Sequence, residues 1–300
     1  MEWRGKRTSR NIEDRRGSGG SSRGGGMPGI RIGSGRGGSG MGIIGTIVVL
    51  LIGAYFGVDL SGLMGGSGSG TGGYTTQTSA PAGPNTIDDD QEAFVATILG
   101  ETEQVWGDIF SANGQRYTPT TLVLYQGGTG SACGMAQSAM GPFYCPGDQR
   151  VYLDTAFFRV MEQQLHAGGE FANAYVIAHE VAHHVQDLLG TLGQVNAQRQ
   201  RVSERESNAL SVRIELQADC YAGVWAHNAA EELSVTEADI REALNTAARI
   251  GDDALQRSAG GRVVPDSFTH GTSEQRQNWF FRGYRSGDPG QCDTFSTRNL

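Results

Sequence analysis

The stretch from Phe171 to Gln186, Phe-Ala-Asn-Ala-Tyr-Val-Ile-Ala-His-Glu-Val-Ala-His-His-Val-Gln, sets the tightest limit on what this chain can fold into. Small and apolar residues fill most of it, so as a helix it has to be buried. Yet it carries the pattern H-E-x-x-H at positions 179 to 183. Buried polar groups are costly without partners, so the fold has to bring further polar side chains to this helix. On an α-helix His179 and His183 lie one turn apart on one face, and both imidazoles can reach a single metal ion, with Glu180 beside them. His184 faces away from that pair and reads as structural.

A second helical stretch supplies what the first lacks. Between Glu204 and Ala230, the run Glu215-Leu216-Gln217-Ala218-Asp219 puts two carboxylates one turn apart among apolar neighbours. Alone, such a pair reads as a solvated helix face. Together with the first motif, Glu215 completes a His, His, Glu zinc site, and Asp219 accepts the free ring N–H of a ligand histidine.

Composition divides the chain. Of its 300 residues 46 are glycine, many in the first 84 positions, which leaves a folding unit of roughly 210 residues, enough for one core. Residues 1–40 carry nine Lys and Arg among Gly and Ser and are expected to be a disordered basic arm. Residues 41–58, with Ile43, Ile44, Ile47, Val48, Val49, Leu50, Leu51 and Ile52 and no charge, are long enough to cross a bilayer as an uncleaved signal anchor. No Lys or Arg follows until Arg116, so the arm is expected in the cytoplasm and the rest outside. Gly53 and Gly57 leave weak dimerisation through the span open. Residues 59–85 read as a flexible linker, and residues 86–300 as the catalytic unit. The formal charge of −8 gives no nucleic-acid surface. Cys133, Cys145, Cys220 and Cys292 allow three connectivities; Cys133 with Cys145 closes a short loop and leaves Cys220 with Cys292.

The remaining elements follow from periodicity. A helix is expected over 91–110, a strand over 120–125, and a hairpin from Gly141 to Leu153 turning at Pro146-Gly147-Asp148. An exposed edge of that small sheet suits an extended peptide. One amphipathic helix is expected over 236–255, and a last one opens after His270-Gly271, capped by Thr272 or Ser273. His270, arriving in a loop, is a candidate for stabilising a developing oxyanion.

Across almost the whole chain the sequence resembles the bacterial neutral zinc metallopeptidase family. The resemblance is carried by Trp3, Asn11-Ile12-Glu13-Asp14-Arg15-Arg16-Gly17, Gly141-Pro142-Phe143-Tyr144-Cys145-Pro146, Ala178 to Gln186, Glu215 to Asp219, His270-Gly271 and Gln275-Arg276. It is also similar to the wider gluzincin peptidases, whose downstream E-x-x-A-D supplies a glutamate ligand. The resemblance implies one zinc ion on His179, His183 and Glu215, with Glu180 as base.

The expectation is therefore an α+β, mainly helical zincin-like domain with a small antiparallel sheet, preceded by one transmembrane helix. Its function is expected to be that of a single-pass, membrane-anchored zinc endopeptidase acting on peptides outside the cytoplasmic membrane. The alternative is a non-catalytic envelope binding module that keeps a structural zinc site. A metal-storage protein ranks last, because the seven Met residues are scattered.

Overall fold

Four consecutive large apolar side chains, Leu122 to Tyr125, are fully buried, as a strand covered on both faces requires. This strand lies inside the sheet of the computed structural model, which describes residues 1–16, 86–137, 141–297 and 300. In chain order the elements are β1 (Ile12–Asp14), α1 (Asp90–Ala112), β2 (Thr121–Tyr125), β3 (Gly128–Ser131), β4 (Gly134–Gln137), β5 (Phe143–Cys145) and β6 (Arg150–Asp154). The helices α2 (Ala156–Gln163), α3 (Glu170–Leu188), α4 (Thr191–Arg199), α5 (Glu204–Asn228), α6 (Glu237–Arg249), α7 (Asp252–Ser258) and α8 (Ser273–Ser286) complete the chain, with short 3-10 turns at Pro265–Ser267 and Pro289–Cys292. The architecture is α+β and mainly helical, as expected.

The sheet is not the antiparallel one expected. Its order is β1-β2-β6-β5, with β1 and β6 both parallel to β2 and only β5 antiparallel. The β3-β4 hairpin and β5 return the chain before β6, so β2 and β6 run the same way. The expected hairpin is β5-β6. The four cysteines pair as Cys133–Cys145 and Cys220–Cys292.

Residues 1–16 correct the expectation of a disordered arm. Trp3 and Ile12 are buried, and the Trp3 ring meets Phe94 edge-on with centroids 5.4 Å apart. The backbone of Ser9 donates to the Ala96 carbonyl at 2.8 Å across Gly100, where a Cβ would come within 3.0 Å of the Ser9 nitrogen. Arg16 pairs with Asp14 and Asp89, each at 2.7 Å, and with buried Glu92 at 3.3 Å. Arginines that composition alone assigns to solvent thus neutralise carboxylates far along the chain. Residues 1–16 thus form one body with the domain, through β1 paired to β2. The span over 41–58 and the linker over 59–85 lie outside the described residues; among the described residues no helix is long and apolar enough to cross a membrane.

Helix α5 packs against α3 on one side and α8 on another. Stacked Phe171 and Trp225 join α3 to α5, and Tyr175 meets Phe280 of α8 edge-on. Glycines allow α8 its close approach: a Cβ on Gly223 would overlap the Phe280 carbonyl, and one on Gly283 the Cys220 carbonyl. The single helix expected over 236–255 is two, α6 and α7, broken at Ile250 and Gly251.

Candidate metal centre

Helices α3 and α5 cross so that His179, His183 and Glu215 converge. One ligand atom from each lies within 4.8 Å of the others. The Glu215 carboxylate is 3.1 Å from His179 Nε2 and 3.6 Å from His183 Nε2. Two ligands about 2.0–2.1 Å from a tetrahedral zinc ion stand about 3.3 Å apart, so these separations fit that ion.

Both imidazoles are held from behind. His179 Nδ1 donates to Asp219 Oδ1 at 2.9 Å, and His183 Nδ1 donates to Gln186 Oε1 at 2.9 Å. With each Nδ1 engaged, each Nε2 is the ring nitrogen that faces Glu215 and is free to take an ion once its own proton is lost. The donor set is nitrogen and carboxylate oxygen, the chemistry zinc accepts.

Asp219 is fully buried and receives four hydrogen bonds. Tyr175 Oη donates at 2.5 Å, Arg276 Nε at 2.8 Å and Arg276 Nη2 at 3.0 Å, besides the His179 contact. Burial works to raise its carboxyl, but Arg276 and His179 outweigh it and hold the pKa down to about 2. Around Glu215 the same contest has the same winner: burial opposes ionisation, while His183, His270 and the imidazole hydrogen bonds keep the carboxyl well below its usual range. For His179, burial favours the neutral ring, but Asp219 and Glu215 bring its pKa up to about 10. Glu180 behaves oppositely. Burial dominates and pushes its carboxyl up, and among the described residues it makes no hydrogen bond within the protein.

His270 approaches from the loop before α8. Its Nδ1 lies 3.2 Å from Asp252 Oδ1, while Asp252 Oδ2 accepts the backbone N–H groups of Thr269, His270 and Gly271 at 2.7, 2.7 and 3.0 Å. One carboxylate at the start of α7 therefore shapes the whole loop. Thr272, not Ser273, caps α8, in a reciprocal box with Gln275. His184 stands apart from the centre, with Nε2 on the Thr118 carbonyl at 2.7 Å.

Three residues around the centre carry no role in the sequence reading: Gln186, Asp252 and Arg276. Gln186 follows His183 by three positions on one helix, a spacing visible in the sequence. Asp252 and Arg276 act through contacts far apart in the chain, and local pattern carries no sign of them. A second carboxylate cluster, Asp14, Asp88 and Glu92, is bridged by the Arg16 guanidinium.

Fold and centre together define a class: an α+β domain whose H-E-x-x-H helix and a second, crossing helix bring together three side chains that could hold one metal ion. Residues 1–295 match the family described as "Putative neutral zinc metallopeptidase", and the chain belongs to that family. It is 49% identical over 296 residues, 98% of this chain and 99% of the relative, to the uncharacterized protein YpfJ of Escherichia coli strain K12. It is 47% identical over 195 residues, 61% of this chain and 65% of the relative, to the uncharacterized protein Rv2575 of Mycobacterium tuberculosis. No solved structure matches the chain.

Proposed function

We propose that this protein is a zinc-dependent endopeptidase in which His179, His183 and Glu215 hold the ion and Glu180 is the general base. The observation that carries the reading is the convergence of two oriented Nε2 atoms and one carboxylate beside a buried carboxylate with no hydrogen-bond partner among the described residues. Zinc bound there supplies Lewis acidity toward a peptide carbonyl and a water acidic enough to lose its proton near neutral pH.

The chain's own groups do the rest. Glu180 takes that proton on its carboxylate, in a setting where burial brings its pKa closer to neutral pH, and returns it to the leaving amine nitrogen. At His270 burial favours the neutral ring, but Glu215 and Asp252 outweigh it and raise the pKa, leaving an N–H on Nε2 to donate to the developing oxyanion. Strand β5 is an edge strand next to α3, joined to it by the Tyr144 hydroxyl on Asp187 at 2.9 Å, so an extended peptide adding to β5 runs beside the centre.

The same proposal places the domain outside the cytoplasmic membrane, on the strength of two disulfides. Residues 1–16, whose strand pairs with β2, then lie on that side as well. The test is metal analysis of the full chain with a peptide-library digest of wild type and Glu180→Gln. Zinc retained with cleavage abolished supports the reading. Zinc retained with equal cleavage removes Glu180 from the chemistry, and zinc retained with no cleavage by wild type favours a binding module.

A further inference from the structure

The hydrogen bond behind His183 is the end of a longer line. Gln186 is fully buried; its Oε1 faces His183 Nδ1, and its Nε2 donates to the Ile214 carbonyl at 2.8 Å and to Gln217 Oε1 at 3.0 Å. Gln217 in turn donates from Nε2 to the Cys292 carbonyl at 3.1 Å, and Cys292 is tied by its disulfide to Cys220 on α5.

The chemistry gives this line one direction. A backbone carbonyl only accepts, so the Cys292 carbonyl requires the NH₂ of Gln217 and turns its oxygen toward Gln186. That oxygen and the Ile214 carbonyl then require the NH₂ of Gln186, which turns the Gln186 oxygen toward His183. An oxygen there requires a proton on His183 Nδ1 and leaves Nε2, 3.6 Å from Glu215, as the nitrogen available to a metal ion. Turning either amide over would bring two acceptors together in a buried site and leave each without a donor.

We infer that Gln186 and Gln217 are positioning residues that fix the tautomer and direction of His183, with the disulfide-tethered Cys292 carbonyl as their anchor. The two metal-binding histidines are thereby oriented by different means. His179 leans on a carboxylate neutralised by Arg276, whereas His183 leans on a neutral amide whose direction is set from outside the helix pair. A neutral partner adds no negative charge to a centre that already holds Glu215, Asp219 and Glu180. The inference rests on the zinc-binding reading and deepens it.

The test uses the full chain with Gln186→Met and Gln217→Met, both close in volume to glutamine. Zinc affinity is measured by competition with a chromophoric chelator, the His183 Nδ1–H by ¹H–¹⁵N NMR of the zinc-loaded protein, and folding by melting of the metal-free protein. Gln186→Met is expected to weaken zinc about 10–100-fold, the usual range for a hydrogen-bond partner of a ligand histidine. It should also lose the slowly exchanging His183 ring proton while the His179 proton on Asp219 persists. Gln217→Met should shift both readouts in the same direction by less, since Gln186 keeps the Ile214 carbonyl, and it carries the test should Gln186→Met fail to fold. Affinity within twofold of wild type in a folded variant, or an unchanged His183 proton, overturns the inference alone. A wild type that takes up no zinc overturns the peptidase reading and this inference with it.

Discussion

Replacing Arg276 by Met probes the part of the centre with most charge and least water. Arg276 and Asp219 are 3% and 0% exposed, and their contact is two-pronged, at 2.8 and 3.0 Å. Arg276 also donates to Tyr175 Oη at 3.2 Å and to the Ile250 carbonyl at 3.3 Å. Two hydrogen bonds to a charged group contribute about 1.5–3 kcal/mol each, and removing one partner of a buried pair costs about 3–5 kcal/mol. The expected loss at pH 7 is therefore about 3–5 kcal/mol, on the order of 10 °C in melting temperature for a domain of this size. Its pH dependence separates a lost counter-charge from lost packing. In wild type the Asp219 pKa is held down to about 2, so its contribution is complete above the unfolded value of 3.8 and fades as pH falls toward 2. In Arg276→Met burial is opposed only by His179 and Tyr175, and the carboxyl rises; a native state that binds more protons than the unfolded one gains stability as pH falls. The gap between variant and wild type should narrow in mild acid, and adding Asp219→Asn should recover more than half of the loss. Urea denaturation of the metal-free proteins at several pH values reads all three. A loss below about 1 kcal/mol, or one independent of pH, refutes the account of Asp219 as a buried anion held by Arg276.

Other outcomes follow from the same geometry. With His179 raised to about 10, zinc uptake near neutral pH should release at least one proton, and affinity should climb as pH rises toward that value; calorimetry in buffers of different ionisation enthalpy checks this, and an uptake without proton release contradicts it. His270→Ala should keep zinc yet lower kcat about 10²–10³-fold, the usual effect of removing one oxyanion donor, read by single-turnover cleavage. Gly223→Val should unfold the protein or lower its melting temperature steeply, because the new side chain meets the α8 backbone at Phe280 and Tyr284. Single cysteines at exposed Arg10 and Glu204 should react alike with a membrane-impermeant maleimide in intact cells, since β1 and the domain share one compartment; labelling on opposite sides refutes the docked arrangement.

The sequence announced the centre because its chemistry is local. His179, Glu180 and His183 lie within five positions and Glu215 and Asp219 within five more, and helical spacing alone sets which of them share a face. The meeting of the two helices is not local, and its only sign in the sequence is the need of buried polar groups for partners. That demand predicted that Asp219 would find a histidine, and it does at His179. It did not identify Arg276, fifty-seven residues further on, as the counter-charge, because an arginine in a helix rich in polar residues looks solvated until the crossing that buries it is known. Gly223 and Gly283 make that crossing possible, and in sequence they are two glycines among 46.

The amino-terminal segment fails for the opposite reason. Its composition argues correctly that a sixteen-residue segment with six Lys and Arg cannot make a core of its own. They do not need one. Trp3 and Ile12 enter a core built by residues 94 to 292, and Arg16 meets carboxylates at 89 and 92. Disorder read from composition assumes that a segment folds on its own surface area, and that assumption lapses wherever a distant part of the chain offers an open strand edge, here β2 in register Ile12 to Leu122. Charge asymmetry across an apolar run has the same weakness: it orients a crossing only when both flanks are free to be separated. Here residues 12–14 pair with β2, so the two flanks of the apolar run are not free to be separated, and the nine amino-terminal cations alone do not orient it.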